Sequence, residues 1–233
     1  MIFNLPKEII FPPVELAEPN GMLAVGGDLS AERLIAAYKL GIFPWFSEGS
    51  PILWWSPDPR FVLYPDEIKI SRSMKQIMNR DFFKITYDAA FGDVINNCRR
   101  QRKNQNHTWI TDGMEESYTE LHAMGFAHSV ETWHNGILAG GLYGVSIGKI
   151  FFGESMFANV SNASKAALIT LSLKLQSLGF DCIDCQVYTE HLNSMGGRSI
   201  PRDDFMNLIT SSVKGETILG NWGTEETLTK TLN

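Results

Sequence analysis

The chain has 233 residues, 44% of them hydrophobic, with six Trp and a formal net charge of −6. That suffices for one large domain, or a small one plus a large one, around a real core. It excludes a membrane span, because no stretch reaches the eighteen or so apolar residues a transmembrane helix needs. It also excludes a disulfide framework, because the cysteines number three. The start, Met1-Ile2-Phe3-Asn4-Leu5-Pro6-Lys7-Glu8, has no basic stretch leading into an apolar run, so a cytoplasmic protein is expected.

The first sixty residues are rich in Pro, Gly and aromatics, notably Gly41 to Phe46 and Leu53 to Arg60. One helix is expected at 31–40, capped by Ser30 and stopped by Gly41. This reads as a small, loop-rich N-terminal domain, 1–62, joined through the Pro-rich stretch Ser56 to Arg60 to a larger domain, 63–233. Helices follow at 72–80, 89–102 and 112–124, the last capped by Thr111 or Asp112 and ended by Gly125. Ala127 to Trp133 has a strand pattern, and Asn135-Gly136 is a hairpin signal before a return strand through Ile137 to Val145. A third strand covers Lys149 to Phe157. A long helix at 162–178, with Ser161 as its cap and Gly179 as its stop, precedes a strand at 180–187 and short helices near 189–195 and 203–211. Hairpin, third strand, long helix, strand, helix is the order of an acetyltransferase-like (GNAT-like) α/β (α+β) domain with a mostly antiparallel sheet.

Charge is unevenly placed. Residues 69–103 hold nine Lys and Arg against three Asp, a balance of +6, while the rest of the chain stands at −12. A phosphate-backbone contact and a solvated helix face both account for the basic block. Cys182-x-x-Cys185 has no second pair to complete a zinc site, and on a strand its two thiols would point to opposite faces, so buried free thiols are expected. The five histidines show no metal-ligand spacing, there is no Gly-x-Ser-x-Gly elbow, and Gly26-Gly27 is not followed by the residues of a P-loop.

Two acids stand out. Glu154 lies in Phe151-Phe152-Gly153-Glu154-Ser155-Met156-Phe157 and Asp184 in Cys182-Ile183-Asp184-Cys185-Gln186-Val187, and a carboxylate in an apolar strand is costly unless something uses it. Alternation puts Cys182, Asp184 and Gln186 on one face of their strand, and Phe152, Glu154 and Met156 on one face of the other. Two carboxylates, an amide and large apolar groups can then converge on a site that orients an amine or ester beside an apolar pocket. A structural polar network inside the sheet is the competing account.

At this point the residues match a known family. Glu18 to Ser30, Gly41 to Phe46, Ile52 to Arg60, Ile70 to Lys75, Thr108 to Thr111, Phe152 to Phe157, Asn162 to Lys165 and Ile183 to Gln186 together resemble the bacterial leucyl/phenylalanyl-tRNA–protein transferases, in order and over nearly the whole chain. The resemblance implies an aminoacyltransferase that moves Leu or Phe from its charged tRNA to the N-terminal Arg or Lys of an acceptor protein, marking it for degradation. It implies Asp184, Gln186 and Glu154 as the catalytic centre. It assigns Trp45, Trp109, Tyr118, Gly153 and Met156 to the region holding the 3′ adenosine and the amino-acid side chain. Arg72, Lys75 and Arg80 match the family's tRNA-facing region, with Gln76 and Asn79 where more basic residues are expected.

No cofactor and no metal are expected. Coenzyme A sites of this fold use a Gly-rich turn before a helix, and Met156 to Ala163 contains no glycine. A coenzyme A-dependent N-acetyltransferase and a non-catalytic tRNA-binding protein are the alternatives. Asp184 is expected to orient the incoming amine or stabilise its developing positive charge, Gln186 to position the reacting groups, and Glu154 to fix neighbours or attract the cationic acceptor. A monomer is expected.

Overall fold

The computed structural model describes residues 2–103 and 110–223. A small sheet of order β1-β2-β4-β3 is formed by β1 (Phe3–Leu5), β2 (Met22–Gly26), β3 (Phe43–Pro44) and β4 (Leu53–Trp55). Helix α1 (Ala31–Lys39) packs beside it. Ser30 holds the N-cap position, but its hydroxyl donates to Asp28 Oδ1 at 2.6 Å instead of capping the helix. Gly41 ends the helix as expected, with φ +69° and its N–H donating to the Tyr38 carbonyl.

The larger sheet has seven strands: β5 (Arg60–Leu63), β6 (Lys84–Tyr87), β7 (Ala127–His134), β8 (Ile137–Ile147), β9 (Ile150–Ala158), β10 (Cys182–Gln186) and β11 (Arg198–Ile200). Their order is β11-β5-β10-β9-β8-β7-β6. Only β9 and β10 run parallel; every other pair is antiparallel. Asn135 and Gly136 both have positive φ and close the β7–β8 hairpin, as two-residue turns of this type require. Ser56 to Pro59 carries the chain from the small sheet into β5 of the large one.

Helices α2 (Arg72–Asn79), α3 (Phe91–Lys103), α4 (Asp112–Ala123), α5 (Ala163–Ser177), α6 (Glu190–Ser194) and α7 (Arg202–Ser212) complete the described chain. Thr111 caps α4 by accepting from the Met114 N–H. The residue that opens α5 is Asn162, at φ +71° and without a side-chain cap, not Ser161. The sheet separates two apolar clusters. On one side Phe91, Val94, Tyr118, Phe152, Phe157 and Cys182 share a core with Leu34, Tyr38 and Trp54 of the N-terminal segment. On the other, Leu142, Phe151, Ile183 and Cys185 pack with Leu168, Leu171 and Leu175 of α5. Helix α5 is buried on most sides, its apolar residues Ala166 to Ile169, Leu171 and Leu175 filling the core.

Candidate active site

The site lies where β9 and β10 part. Their parallel pairing runs Cys182↔Ile150, Ile183↔Phe151 and Asp184↔Phe152 and then stops. Past that point each strand carries a bulge. The β8–β9 register shifts between the pairs Tyr143↔Ser155 and Gly144↔Gly153, leaving Glu154 without a residue opposite it. The β10–β5 register shifts between Asp184 and Gln186, and Gln186 takes φ +65°. Bulges re-aim side chains, and here they aim two polar ones into the gap.

The bulge in β9 corrects the simple alternation. Phe152 and Phe157 face one core while Phe151 and Met156 face the other, so Met156 does not share a face with Phe152. In β10 the alternation holds from Cys182 to Cys185: Ile183 and Cys185 face α5, and Asp184 faces away.

Glu154 is only 6% exposed and accepts three hydrogen bonds. They come from the hydroxyls of Tyr38 at 2.8 Å and Tyr118 at 2.9 Å and from the Gln186 carboxamide N–H at 2.8 Å. The two hydroxyl oxygens also lie in contact; with one proton each, they cannot donate to an ionised Glu154 and to one another at once. Burial pushes the Glu154 carboxyl up to about 7, outweighing those three hydrogen bonds, and the nearby Asp184 charge adds to the rise. Burial, then the Glu154 charge, holds both phenols well above their ordinary range, so they remain donors.

Asp184 is sealed from solvent. Arg60 meets it with Nε at 2.8 Å and Nη2 at 2.6 Å, and the Gln186 backbone N–H donates to Oδ1 at 2.9 Å. The Arg60 guanidinium lies over the rings of Phe43 and Phe205, 4.8 and 4.6 Å from their centroids. A buried pair of this kind adds little net stability, but removing one partner strands a charge at a cost of about 3–5 kcal/mol. Asp184 does not line the cavity described next. It holds Arg60 and fixes the backbone of Gln186, so it reaches the gap through its neighbour.

A cavity of about 400 Å³ opens from the gap. Leu142, Phe151, Leu168, Leu171, Ile183 and Cys185 form its apolar wall, and Glu154 and Gln186 its polar end. Trp45, Gly153 and Met156, expected near the substrate, line it. Trp45 is 43% exposed at the mouth and its carbonyl accepts from the Trp55 indole at 2.6 Å. Tyr118 is fully buried beneath Glu154 and is not a wall of the cavity. Trp109 and His107 lie outside the described residues. Arg72, Lys75 and Arg80 are exposed along and just after α2. Of the other histidines, His191 lines the cavity, while His128 is tied to Asp88 far along the sheet.

Two residues central to the cluster escape the sequence reading. Arg60 opens an apolar run, Arg60-Phe61-Val62-Leu63, and so carries the same signal as Glu154 and Asp184: a charge where an apolar strand stands. Tyr38 falls one turn after Leu34 on the apolar face of α1, where it passes for ordinary core.

An apolar cavity ending on a carboxylate and a carboxamide, entered where a sheet splays, can seat a large apolar group beside two polar ones. Comparison with known proteins narrows the reading. The family model described as leucyl/phenylalanyl-tRNA protein transferase matches residues 62–210, and the model of its N-terminal domain matches 27–58. A leucyl/phenylalanyl-tRNA–protein transferase of Syntrophus aciditrophicus is 58% identical over 96% of this chain and 94% of its own. One of Flavobacterium johnsoniae is 54% identical over 90% of this chain and 100% of its own. The chain belongs to the leucyl/phenylalanyl-tRNA–protein transferase family. Similar solved structures include an aminoglycoside acetyltransferase from a soil metagenomic sample, at 14% identity over 59% of this chain and 90% of that one, with a TM-score of 0.38. Another is L-PGS from Bacillus licheniformis, at 9% identity over 84% and 72%, with a TM-score of 0.44. Likenesses of this size say nothing about activity.

Proposed function

We propose that this protein transfers Leu, Phe and, less well, Met from aminoacyl-tRNA to the N-terminal Arg or Lys of acceptor proteins, marking them for N-degron degradation in the cytoplasm. The observation that carries the proposal is the apolar cavity of about 400 Å³ that ends on Glu154 and Gln186. Such a cavity seats a large apolar side chain but discriminates weakly between Leu, Phe and Met, since one methylene is worth only about 1–3 kcal/mol. Among the described residues no helix is long and apolar enough to cross a membrane.

The donor ester is already activated, so no further cofactor is required. The acceptor is an α-amine whose reference pKa of about 7.7–8.0 leaves roughly a tenth neutral at pH 7. Holding amine and ester together supplies several kcal/mol of the acceleration. One carboxamide N–H of Gln186 donates to Glu154 and so orients the group, and its carbonyl oxygen, which has no partner among the described residues, is the acceptor that meets the attacking amine. Glu154, oriented by Tyr38 and Tyr118, holds the carboxamide in that sense and favours a cation beside it once ionised. Asp184 acts one step back, setting the backbone of Gln186.

Trp45, Gly153 and Met156 contact the donor's adenosine and side chain, with Trp109 assigned beside them from sequence alone. Arg72, Lys75 and Arg80 face the tRNA phosphates, where the +6 balance of residues 69–103 favours an anion. The −12 balance elsewhere suits an acceptor that begins with Arg or Lys. Residues 1–62 and 63–233 are proposed to act as two units of a monomer, with Arg60 carried into the larger unit by its pairing in β5.

The test is transfer of labelled Leu from Leu-tRNA to a peptide beginning with Arg, set beside one beginning with Ala. Labelling of the Arg peptide alone is expected. Equal labelling of both would defeat the acceptor assignment, and labelling of neither the transferase itself.

A further inference from the structure

The large sheet carries a second cavity, of about 420 Å³, at its β6 edge. Phe82, Trp133, Lys84, Thr86, Asp81 and Asn135 line it. Phe82 is 45% exposed and is held by His134, stacked at 4.2 Å between centroids with 22° between planes, and by the edge of Phe83. No ring stacks on Trp133 among the described residues, yet its indole is fixed. Its N–H donates to Thr86 Oγ1 at 2.8 Å, and that hydroxyl donates to buried Glu131 at 2.6 Å. Two aromatic side chains thus line an open cavity, at least one of them locked in place, with a carboxylate, a carboxamide and an ammonium beside them.

The position matters as much as the lining. The strand register runs Ala158↔Gly140 on β8, Gly140↔Thr132 on β7 and Thr132↔Ile85 on β6. Trp133 and Lys84, paired one step further along, therefore lie at the same end of the sheet as Ala158; they stand on the face opposite α5, the face that carries α3, from which Gln101 reaches the first cavity. Three strand spacings of about 4.8 Å separate β9 from β6, some 14 Å. That is a distance a few nucleotides of single strand cover. Between 69 and 84 the chain has Lys69, Arg72, Lys75, Arg80 and Lys84 against Asp81 alone.

We propose that this cavity holds an unpaired base of the donor's 3′ end, stacked on Phe82 and Trp133, with Lys84 and Arg80 on the adjoining phosphates; the proposal rests on the aminoacyl-tRNA reading above. Stacking on fixed aromatics is how single strands are held without strict sequence demand, and the Asp81 and Asn135 side chains can meet the polar edge of a base. An apolar peptide side chain would gain nothing from that carboxylate and carboxamide.

Three donors test it: Phe-tRNA, a phenylalanyl ester of a short RNA carrying only the unpaired 3′ end, and phenylalanyl-adenosine. Each is assayed with the full-length wild type, Phe82→Ala and Trp133→Leu, after thermal melts establish which variants are folded. Phe82 is exposed, so its variant keeps the test alive if Trp133→Leu fails to fold. The expected result is a KM raised about tenfold for the two longer donors, given stacking energies of about 1–3 kcal/mol per base, and unchanged for phenylalanyl-adenosine. An unchanged KM for Phe-tRNA, an equal penalty on phenylalanyl-adenosine, or a penalty confined to the whole tRNA would each overturn it. Wild-type enzyme inactive with every donor would sink the transferase reading instead, and so the two failures are told apart.

Discussion

Two buried carboxylates, Glu154 on β9 and Asp88 just past the end of β6, each with three close donors, come to rest on opposite sides of their ordinary pKa. Glu154 receives two phenols and a carboxamide, and burial still wins, lifting it to about 7. Burial also pushes Asp88 up, but the hydrogen bond and charge of His128, with the backbone N–H groups of Trp222 and Ser129, outweigh it and leave Asp88 below the usual range. Number of donors is the same; kind is not. An imidazole N–H at 2.9 Å and a backbone N–H at 2.7 Å stabilise an anion better than phenols that prefer to keep their own protons, even though burial holds His128 itself below the ordinary imidazole range. The second difference is space. Glu154 faces a cavity, whereas Asp88 is closed under the Trp222 indole, which stacks on His128 at 3.8 Å. A buried acid marks a reaction centre when something else can enter beside it.

The largest test of that contrast is at the closed end. Trp222→Ala removes a buried indole and its cover, and should cost about 3–5 kcal/mol in urea unfolding while leaving kcat for transfer unchanged where the variant is folded. A matching fall in kcat would erase the distinction between the two regions.

Next comes pH. Glu154 binds its proton more tightly folded than unfolded, so its contribution to stability is complete below about pH 4.5 and declines as pH rises towards 7, by about 3 kcal/mol. Asp88 works in the other direction: its contribution is present above the ordinary Asp range and disappears as pH falls through its lowered folded value. Unfolding free energy measured against pH should therefore lose its neutral-side decline in Glu154→Gln and its acid-side decline in Asp88→Asn. Exchange of those two phenotypes would show the assignments reversed.

The smallest of the three in free energy is the most direct on function. Gln186→Ala should lower kcat/KM for transfer roughly a hundredfold, of the order seen when one preorganised hydrogen-bonding group is removed, with little change in melting temperature. A loss under threefold would mean that the carboxamide is not the group that meets the amine.

The long elements were legible because their patterns repeat enough to be seen: α5 over 15 residues and the β7–β8 hairpin around Asn135-Gly136. Strands β1, β3, β4 and β11 span two or three residues each, too short for alternation to show, and apart from the β3–β4 pair their partners are distant in sequence. At the site, acids in apolar runs pointed to Glu154 and Asp184. The same rule applies with equal force to Glu131 in Ser129-Val130-Glu131-Thr132, which is just as buried and satisfied by Ser129, Thr86 and the Ala89 N–H. Sequence finds the buried acid; only the splay of β9 from β10 separates one that faces a cavity from one that does not. The bulges at Glu154 and Gln186 carry no local signature either, because they arise from pairing with β8 and β5.

Gln186 sits in the left-handed region, where a side chain with a Cβ is strained by about 1 kcal/mol or more and glycine is at ease. Glycine there would relieve the strain and bring no carboxamide to the gap. The Asp184 carboxylate, accepting the Gln186 N–H, keeps the backbone in that unfavourable turn. The chain thus accepts strain at this residue in return for a carboxamide beside the cavity, and a fully buried acid serves to hold a neighbour under tension.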